Sequence, residues 1–388
     1  MRAGLVLLSL AYVLSQFFRA FLAVLSGPLA RDVGATPDDL AIASGLMFVT
    51  FAAMQLPVGW ALDRVGPRRT ATVLLLLGGG GGAALFALAS NSLHIKLAMV
   101  LLGAGCSPVL MASYYIFARQ FSPARFATLA AVMLGVGSFG NLVASYPMAW
   151  AAETIGWRAT LWGLAVVSVA AALGILALVR DPEAVTSETR GSLFDLLRMP
   201  AVWAILPLMF VAYAPTAALR GLWAGPYLRD VFGLDTGQVG QATLVMGVAM
   251  IAGTFAYGPL DRIFNSRKWV IFSGNLLCVT ATFALMLWPD QSLTLSITLL
   301  AVIGLTGSTF PVLIAHGRAF FPAHLAGRGV TLLNLFGIGG AGVAQFASGP
   351  LHAAASTALA GYTAIFALFG FALLAGLASY LFSRDSMD

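Results

Sequence analysis

Apolar runs long enough to cross a bilayer recur along the whole chain, broken only by short polar segments. A helical crossing takes about 20 residues, because every backbone amide within hydrocarbon must find its partner inside the protein. Only 9% of the 388 residues are charged and 60% are hydrophobic, whereas a soluble domain carries about a quarter charged residues. The alternation predicts an all-α membrane protein of twelve transmembrane helices. They are expected at 4–32, 39–62, 70–90, 94–118, 125–150 and 157–180, then at 201–230, 237–260, 268–288, 292–317, 328–350 and 358–382. The first run, "MRAGLVLLSLAYVLSQFF", has the basic start and apolar core of a signal peptide. It stays apolar past Ser15 and lacks a small-residue cleavage site, so a retained helix is expected.

Between the two sets of six, "RDPEAVTSETRGSLFDLLRMP" is the longest polar segment. It divides the chain into an N-terminal six-helix bundle (1–180), a cytoplasmic linker (181–200) with a short surface helix near "SLFDLLRM", and a C-terminal six-helix bundle (201–388). On this plan one side of the membrane collects Arg2, Arg64, Arg68, Arg69, Arg119, Arg125, Arg180, Arg190, Arg198, Arg262, Arg267, Lys268, Arg318, Arg328 and Arg384. The other holds only Arg31, Lys96, Arg158 and Arg229. The positive-inside rule then puts both termini and the linker in the cytoplasm, with the protein in a bacterial inner membrane. The net charge of +6 is accounted for by this topology, not by nucleic acid. Cys106 and Cys278 both fall inside apolar runs and are expected to pack, not to bridge or hold metal.

The halves also repeat. "GPLARD" (Gly27 to Asp32) returns as "GPYLRD" (Gly225 to Asp230) at an offset of 198, and "LDR" (Leu62 to Arg64) returns at Leu260 to Arg262 with the same offset. Such parallel repeats place a site between the halves near mid-membrane.

The loop "GWALDRVGPRRT" (Gly59 to Thr70) resembles the cytoplasmic motif between the second and third helices of the major facilitator superfamily. That motif is a glycine, an aspartate after three intervening residues, a basic residue, a second glycine and a basic pair. Gly59, Asp63, Arg64, Gly66, Arg68 and Arg69 match it. "GPLDRIFNSRK" reads as a degenerate second copy that keeps Asp261, Arg262, Arg267 and Lys268 but puts Phe264 at the second glycine position. The resemblance implies the major facilitator fold, two pseudo-symmetric six-helix bundles, and a gating role for these loops. A purely topological charge cluster is the competing reading. The helix-five motif of proton-driven drug antiporters is only faint in "GVGSFGNLVASYPMAW", where Gly135, Gly137 and Gly140 serve equally for tight helix packing.

Every acidic residue falls in a predicted loop or helix end, whereas Arg19 and Arg220 lie inside the first and seventh apolar runs. An arginine at mid-membrane costs about 3 kcal/mol or more and normally lines a cavity with a partner. No carboxylate is predicted near either. A small organic anion, carboxylate or phosphate, then suits the guanidinium fork. The alternative for each is snorkelling or bonding to carbonyls of a broken helix. An arginine in each leading helix is also similar to the organophosphate and phosphate exchange branch of the superfamily.

Tyr12 and Gln16, with Ser15, form a polar stripe leading to Arg19. Tyr115, Asn141, Tyr213 and Asn334 are further substrate-binding candidates, and Tyr114, Tyr146, Thr216, Asn275 and Gln345 weaker ones; each also suits a bridge between helices. His316 either reaches a cavity or closes a helix end. No buried acid offers a proton-coupling group, so exchange, facilitated diffusion and substrate-linked proton movement all remain. No nucleophile, base and acid set, metal-ligand cluster or phosphate loop is seen, and "GGGGG" (Gly78 to Gly82) suits close packing. The expectation is a transporter, not an enzyme, without cofactor or metal. It acts as a monomer among membrane lipids and moves a small organic anion with or against a coupled ion. Export of amphipathic or drug-like compounds and a non-transporting scaffold or assembly factor are the alternatives.

Overall fold

The structure, a computed structural model, describes residues 2–182, 196–322 and 326–386. Their regular elements are all helical: α1 (Arg2–Phe18), α2 (Leu22–Val33), α3 (Pro37–Arg64), α4 (Pro67–Ala87), α5 (Ser92–Gln120), α6 (Pro123–Val143), α7 (Tyr146–Ala151), α8 (Trp157–Leu178), α9 (Pro200–Phe232), α10 (Thr236–Ile263), α11 (Arg267–Leu287), α12 (Leu293–Arg318), α13 (Ala326–Ala353) and α14 (Ala358–Tyr380). Ten helical stretches among the described residues are long and apolar enough to cross a membrane, or eleven when α1 and α2 are joined as one bent span. The expected surface helix near "SLFDLLRM" lies largely outside the described residues.

Among the described residues several interruptions depart from the expected unbroken helices, a π-helical stretch at Leu75–Gly80 in the third run among them. The first run, expected as one helix over 4–32, bends by 56° between Phe18 and Leu22. The fifth, expected over 125–150, breaks at Ala144 and Ser145, just before Pro147, whose ring nitrogen has no proton to donate. The 47-residue stretch Val132–Leu178 then turns at Gly156, whose φ of 84° suits glycine. The seventh run carries a π-helical turn, Leu219–Trp223.

The chain forms two compact units. The first comprises Met1–Thr186 with Asp235–Gln241, and the second Ser187–Leu234 with Ala242–Asp388. In the first, α5 packs against α3 and α4, and α1 against α6 and α8. The glycine run is what lets α4 meet α5: a Cβ on Gly78 would lie 2.4 Å from the backbone nitrogen of Gly105. Gly140 plays the same part between α6 and α1, where a Cβ would sit 2.1 Å from the carbonyl oxygen of Val13. In the second unit α14 packs on α11 and α9, and α9 on α13. Cys106 and Cys278 are buried and unbridged, as packing residues. Large apolar side chains such as Leu77, Val166 and Phe255 stay exposed on the helices, the pattern of a lipid-facing surface.

Candidate functional site

Arg19 sits in the bend between α1 and α2, where the regular helix is interrupted. Its Nη1 donates to Gln16 Oε1 at 3.1 Å and its Nη2 to Ser15 Oγ at 3.3 Å, so the stripe read from the sequence becomes a local hydrogen-bonded set. The guanidinium lies over the ring of Phe51 in α3, 4.3 Å from its centroid, which adds a cation–π attraction. Phe51 was not predicted, because an aromatic side chain in an apolar helix gives no sign of which neighbour it will face. Tyr12 is buried one turn earlier and packs against Gly137 of α6, and Asn141 is buried on the same helix.

Arg220 falls in the π-helical turn of α9 and is 3% exposed. Both intramembrane arginines therefore occupy interruptions of a helix, where the extra turn geometry re-aims side chains and frees backbone groups. Around Arg220, Trp223 Nε1 donates to Ser348 Oγ at 2.8 Å and Thr216 Oγ1 to the carbonyl of Ile303 at 2.9 Å. Tyr213 is half-buried, its ring 4.9 Å from that of Phe310, and Asn334 is half-buried in α13.

Tyr115 joins a different group. The Arg119 guanidinium covers its ring at 4.1 Å and reaches Asp63 at 3.9 Å, so Tyr115 belongs with the loop motif and not with Arg19. Asn275 bridges helices, donating to the Ile271 carbonyl at 2.9 Å and to Thr309 Oγ1 at 3.2 Å. His316 is buried at a helix end, with Tyr380 Oη 2.6 Å from Nδ1 and the Arg384 carbonyl 3.0 Å from Nε2.

The loop motif is built around a carboxylate that sequence reading missed. Gly59 ends no helix, lying inside α3, while Gly66 turns the chain at φ 94° and caps α4. Arg68 supplies its backbone N–H to Asp181 Oδ1 at 2.7 Å, whereas Arg64 and Arg69 are exposed. In the second unit Lys268 donates its backbone N–H to Asp385 Oδ1 at 3.0 Å, and the Ser266 hydroxyl donates to Asp385 Oδ2. Asp261 pairs with Arg267 at 3.3 Å, and Arg262 is exposed. The reading that Phe264 takes the second glycine's place is corrected: the positive-φ residue is Asn265, at 50°, and Ser266 caps α11. The second loop, 264–266, is one residue longer than the first, 65–66, so Asn, which tolerates the left-handed region, replaces Gly66 one step further on. Asp385 is held below the ordinary carboxylate range. Burial acts to raise it, but the Ser266 hydroxyl, the Lys268 amide, the charge of His316 and the Arg267 amide together outweigh that. A signal for the missed pair was present: "VRD" ending at Asp181 and "SRD" ending at Asp385 follow corresponding helices.

The sequence profile of the Major Facilitator Superfamily matches residues 8–344. A chloramphenicol resistance protein of Streptomyces lividans is 26% identical over 342 residues, covering 86% of this chain and 83% of that protein. A probable L-galactonate transporter of Escherichia coli (strain K12) is 23% identical over 361 residues, covering 84% of this chain and 73% of that protein. The crystal structure of a D-xylose-proton symporter superposes with a TM-score of 0.80 at 14% identity, covering 98% of both chains, and so shares the fold. With the family profile spanning most of its length, the chain belongs to the Major Facilitator Superfamily.

Proposed function

We propose that this protein is a secondary or facilitative transporter of a small organic anion, carboxylate or phosphate-bearing, working by alternating access. In this reading twelve crossings form two pseudo-symmetric six-helix bundles, 1–180 and 201–388, joined by the linker 181–200. Both termini are cytoplasmic and the protein lies in the bacterial inner membrane. Arg19 and Arg220 bind the charged group, and the loops holding Asp63 and Asp261 bias the exchange between inward- and outward-open states.

The observation that carries the reading is the placement of both intramembrane arginines at helix interruptions, Arg19 in the bend between α1 and α2 and Arg220 in the π-helical turn of α9. Arginine is kept in such a place at a cost of about 3 kcal/mol or more, and an anion offsets that cost when it accepts the fork's hydrogen bonds. The likeness to a probable L-galactonate transporter agrees, since galactonate is a carboxylate.

Uptake of radiolabelled organic anions into proteoliposomes, comparing wild type with Arg19→Gln and Arg220→Gln, tests it. Loss of anion uptake in both variants is expected, and unchanged uptake in both overturns the binding role. Export of amphipathic compounds is the second reading, favoured by the likeness to a chloramphenicol resistance protein. Ligand-induced stabilisation that follows hydrophobicity and ignores negative charge would select it.

A further inference from the structure

Among the described residues of the second unit, Gln345 is a buried side chain whose polar atoms the fold leaves unused. Gln345 of α13 is 0% exposed, and neither its Oε1 nor its Nε2 has a hydrogen-bond partner among the described residues. A buried polar group left unsatisfied costs roughly 1–3 kcal/mol, so such a group in a native protein calls for an explanation. The hydroxyl one turn further along α13 is committed elsewhere. Ser348 Oγ donates to the backbone carbonyl of Gln345 at 2.8 Å and accepts from Trp223 Nε1 at 2.8 Å, and Thr216 Oγ1 donates to Ile303.

Arg220 and Gln345 stand at matching positions on α9 and α13, each shortly before a hydrogen bond that joins the two helices. A Cβ on Gly340 would lie 1.8 Å from the carbonyl oxygen of Phe210, and Trp223 bonds Ser348 further along both helices. The two helices thus run in the same direction. Three residues back from Trp223 is Arg220, and three residues back from Ser348 is Gln345. Both side chains are buried.

We propose that Gln345 is a specificity-determining residue that works with Arg220 to recognise a carboxylate bearing hydroxyl groups close to it, a 2-hydroxy or polyhydroxy acid. This rests on the reading of Arg220 as an anion-binding group. A guanidinium has donors only and takes the carboxylate oxygens. A carboxamide has both kinds of group: its Oε1 accepts from a ligand hydroxyl and its Nε2 donates to an oxygen of the same ligand. A simple alkyl carboxylate satisfies the arginine and leaves Oε1 unsatisfied. The amide therefore discriminates between acids of equal charge, as sites built to bond a hydroxyl do.

Calorimetric titration of the purified full chain with D-gluconate and with hexanoate separates these roles. Wild type is expected to prefer gluconate by about tenfold or more. Gln345→Leu is expected to erase that preference while changing hexanoate affinity by less than about threefold; Gln345→Met serves if the leucine variant does not fold. A wild type without the preference, or a Gln345 variant that retains it, overturns the inference and leaves the anion reading standing. Arg220→Gln is expected to weaken both ligands, and unchanged binding of both in that variant overturns the anion reading itself.

Discussion

Asp181 Oδ1 accepts a 2.7 Å hydrogen bond from the backbone N–H of Arg68, so the residue that follows the last helix of the first repeat caps the helix that follows the charged loop. The second repeat does the same with Asp385 and the N–H of Lys268. Each carboxylate satisfies a donor that has no partner within its own helix and meets the positive end of the helix dipole. It also ties the end of one helix to the start of another, at the loop where the charges concentrate.

Replacing either carboxylate removes the acceptor of one N–H in the first turn of its helix. Asp181→Ala and Asp385→Ala are each expected to destabilise the protein by about 1 kcal/mol, read as a lowered thermal midpoint in detergent. Midpoints unchanged in both variants would show that the loops hold their shape without the caps.

Protonation of Asp385 gives a second test of the cap in the second unit. The Asp385 carboxyl is held below its ordinary range in the folded protein: burial opposes this, while the Ser266 hydroxyl and neighbouring groups outweigh it. A depressed carboxyl contributes stability that is fully present above the unfolded value, about 3.9, and is lost as pH falls through the lower folded value. The difference in thermal midpoint between wild type and Asp385→Asn is therefore expected to shrink as pH is lowered below about 4. A difference that grows on acidification would contradict the assignment.

The loops also show how far sequence reading reaches. Hydropathy located the spans because bilayer thickness dictates run length, and Arg19 and Arg220 stood out because charge inside a span is rare. The helix interruptions at these arginines were not legible: a π-helical turn follows from packing of the surrounding helices and has no local signature in "AALRGLW". Phe51 was hidden for the same reason, and Gln345 stood out only as one weak candidate among several, since register between helices decides what an apolar or amide side chain meets. The caps were legible in principle, because "VRD" and "SRD" end corresponding helices, but their partners lie more than a hundred residues away. Tyr115, expected to bind substrate, stands under the Arg119 guanidinium beside the charged loop, a neighbour that its place in the sequence does not reveal.

Two glycines of the first unit separate backbone strain from crowding. Gly66 and Gly156 both hold positive φ, 94° and 84°, yet a Cβ on Gly66 would lie 2.9 to 3.0 Å from the Asp181 carboxylate atoms, whereas one on Gly156 meets nothing within 4 Å. Gly156→Ala is expected to cost about 1 kcal/mol from strain alone. Gly66→Ala should cost more, because it also displaces the cap. Equal losses in the two variants, measured by thermal unfolding, would show that Asp181 moves aside freely.

At the proposed anion site, the Phe51 ring holds the Arg19 guanidinium in place from α3. Phe51→Leu removes an attraction of about 1 kcal/mol while keeping an apolar side chain. The expected result is a roughly fivefold higher KM for anion uptake with little change in thermal midpoint. A lowered midpoint with unaltered KM would make Phe51 a packing residue only.

The repeated "GPLARD" and "GPYLRD" segments place carboxylates at Asp32 and Asp230, each of which accepts from an aromatic side chain at the start of its unit's last helix. Trp157 Nε1 donates to Asp32 Oδ2 at 2.7 Å, and Tyr362 Oη donates to Asp230 Oδ2 at 2.5 Å. A basic neighbour also approaches each carboxylate, Arg158 at 3.5 Å and Arg229 at 3.3 Å. Trp157→Phe and Tyr362→Phe keep an aromatic ring and delete the donor, leaving a carboxylate that retains its basic neighbour. Each is expected to cost about 1 kcal/mol, within the range for a hydrogen bond to a charged group once partial exposure is allowed for. A double-mutant cycle with Asp230→Asn isolates the pair: coupling between Tyr362→Phe and Asp230→Asn near that value supports a duplicated anchor. Additive effects would mean that Tyr362, and by the repeat Trp157, stabilises its helix through ring packing alone.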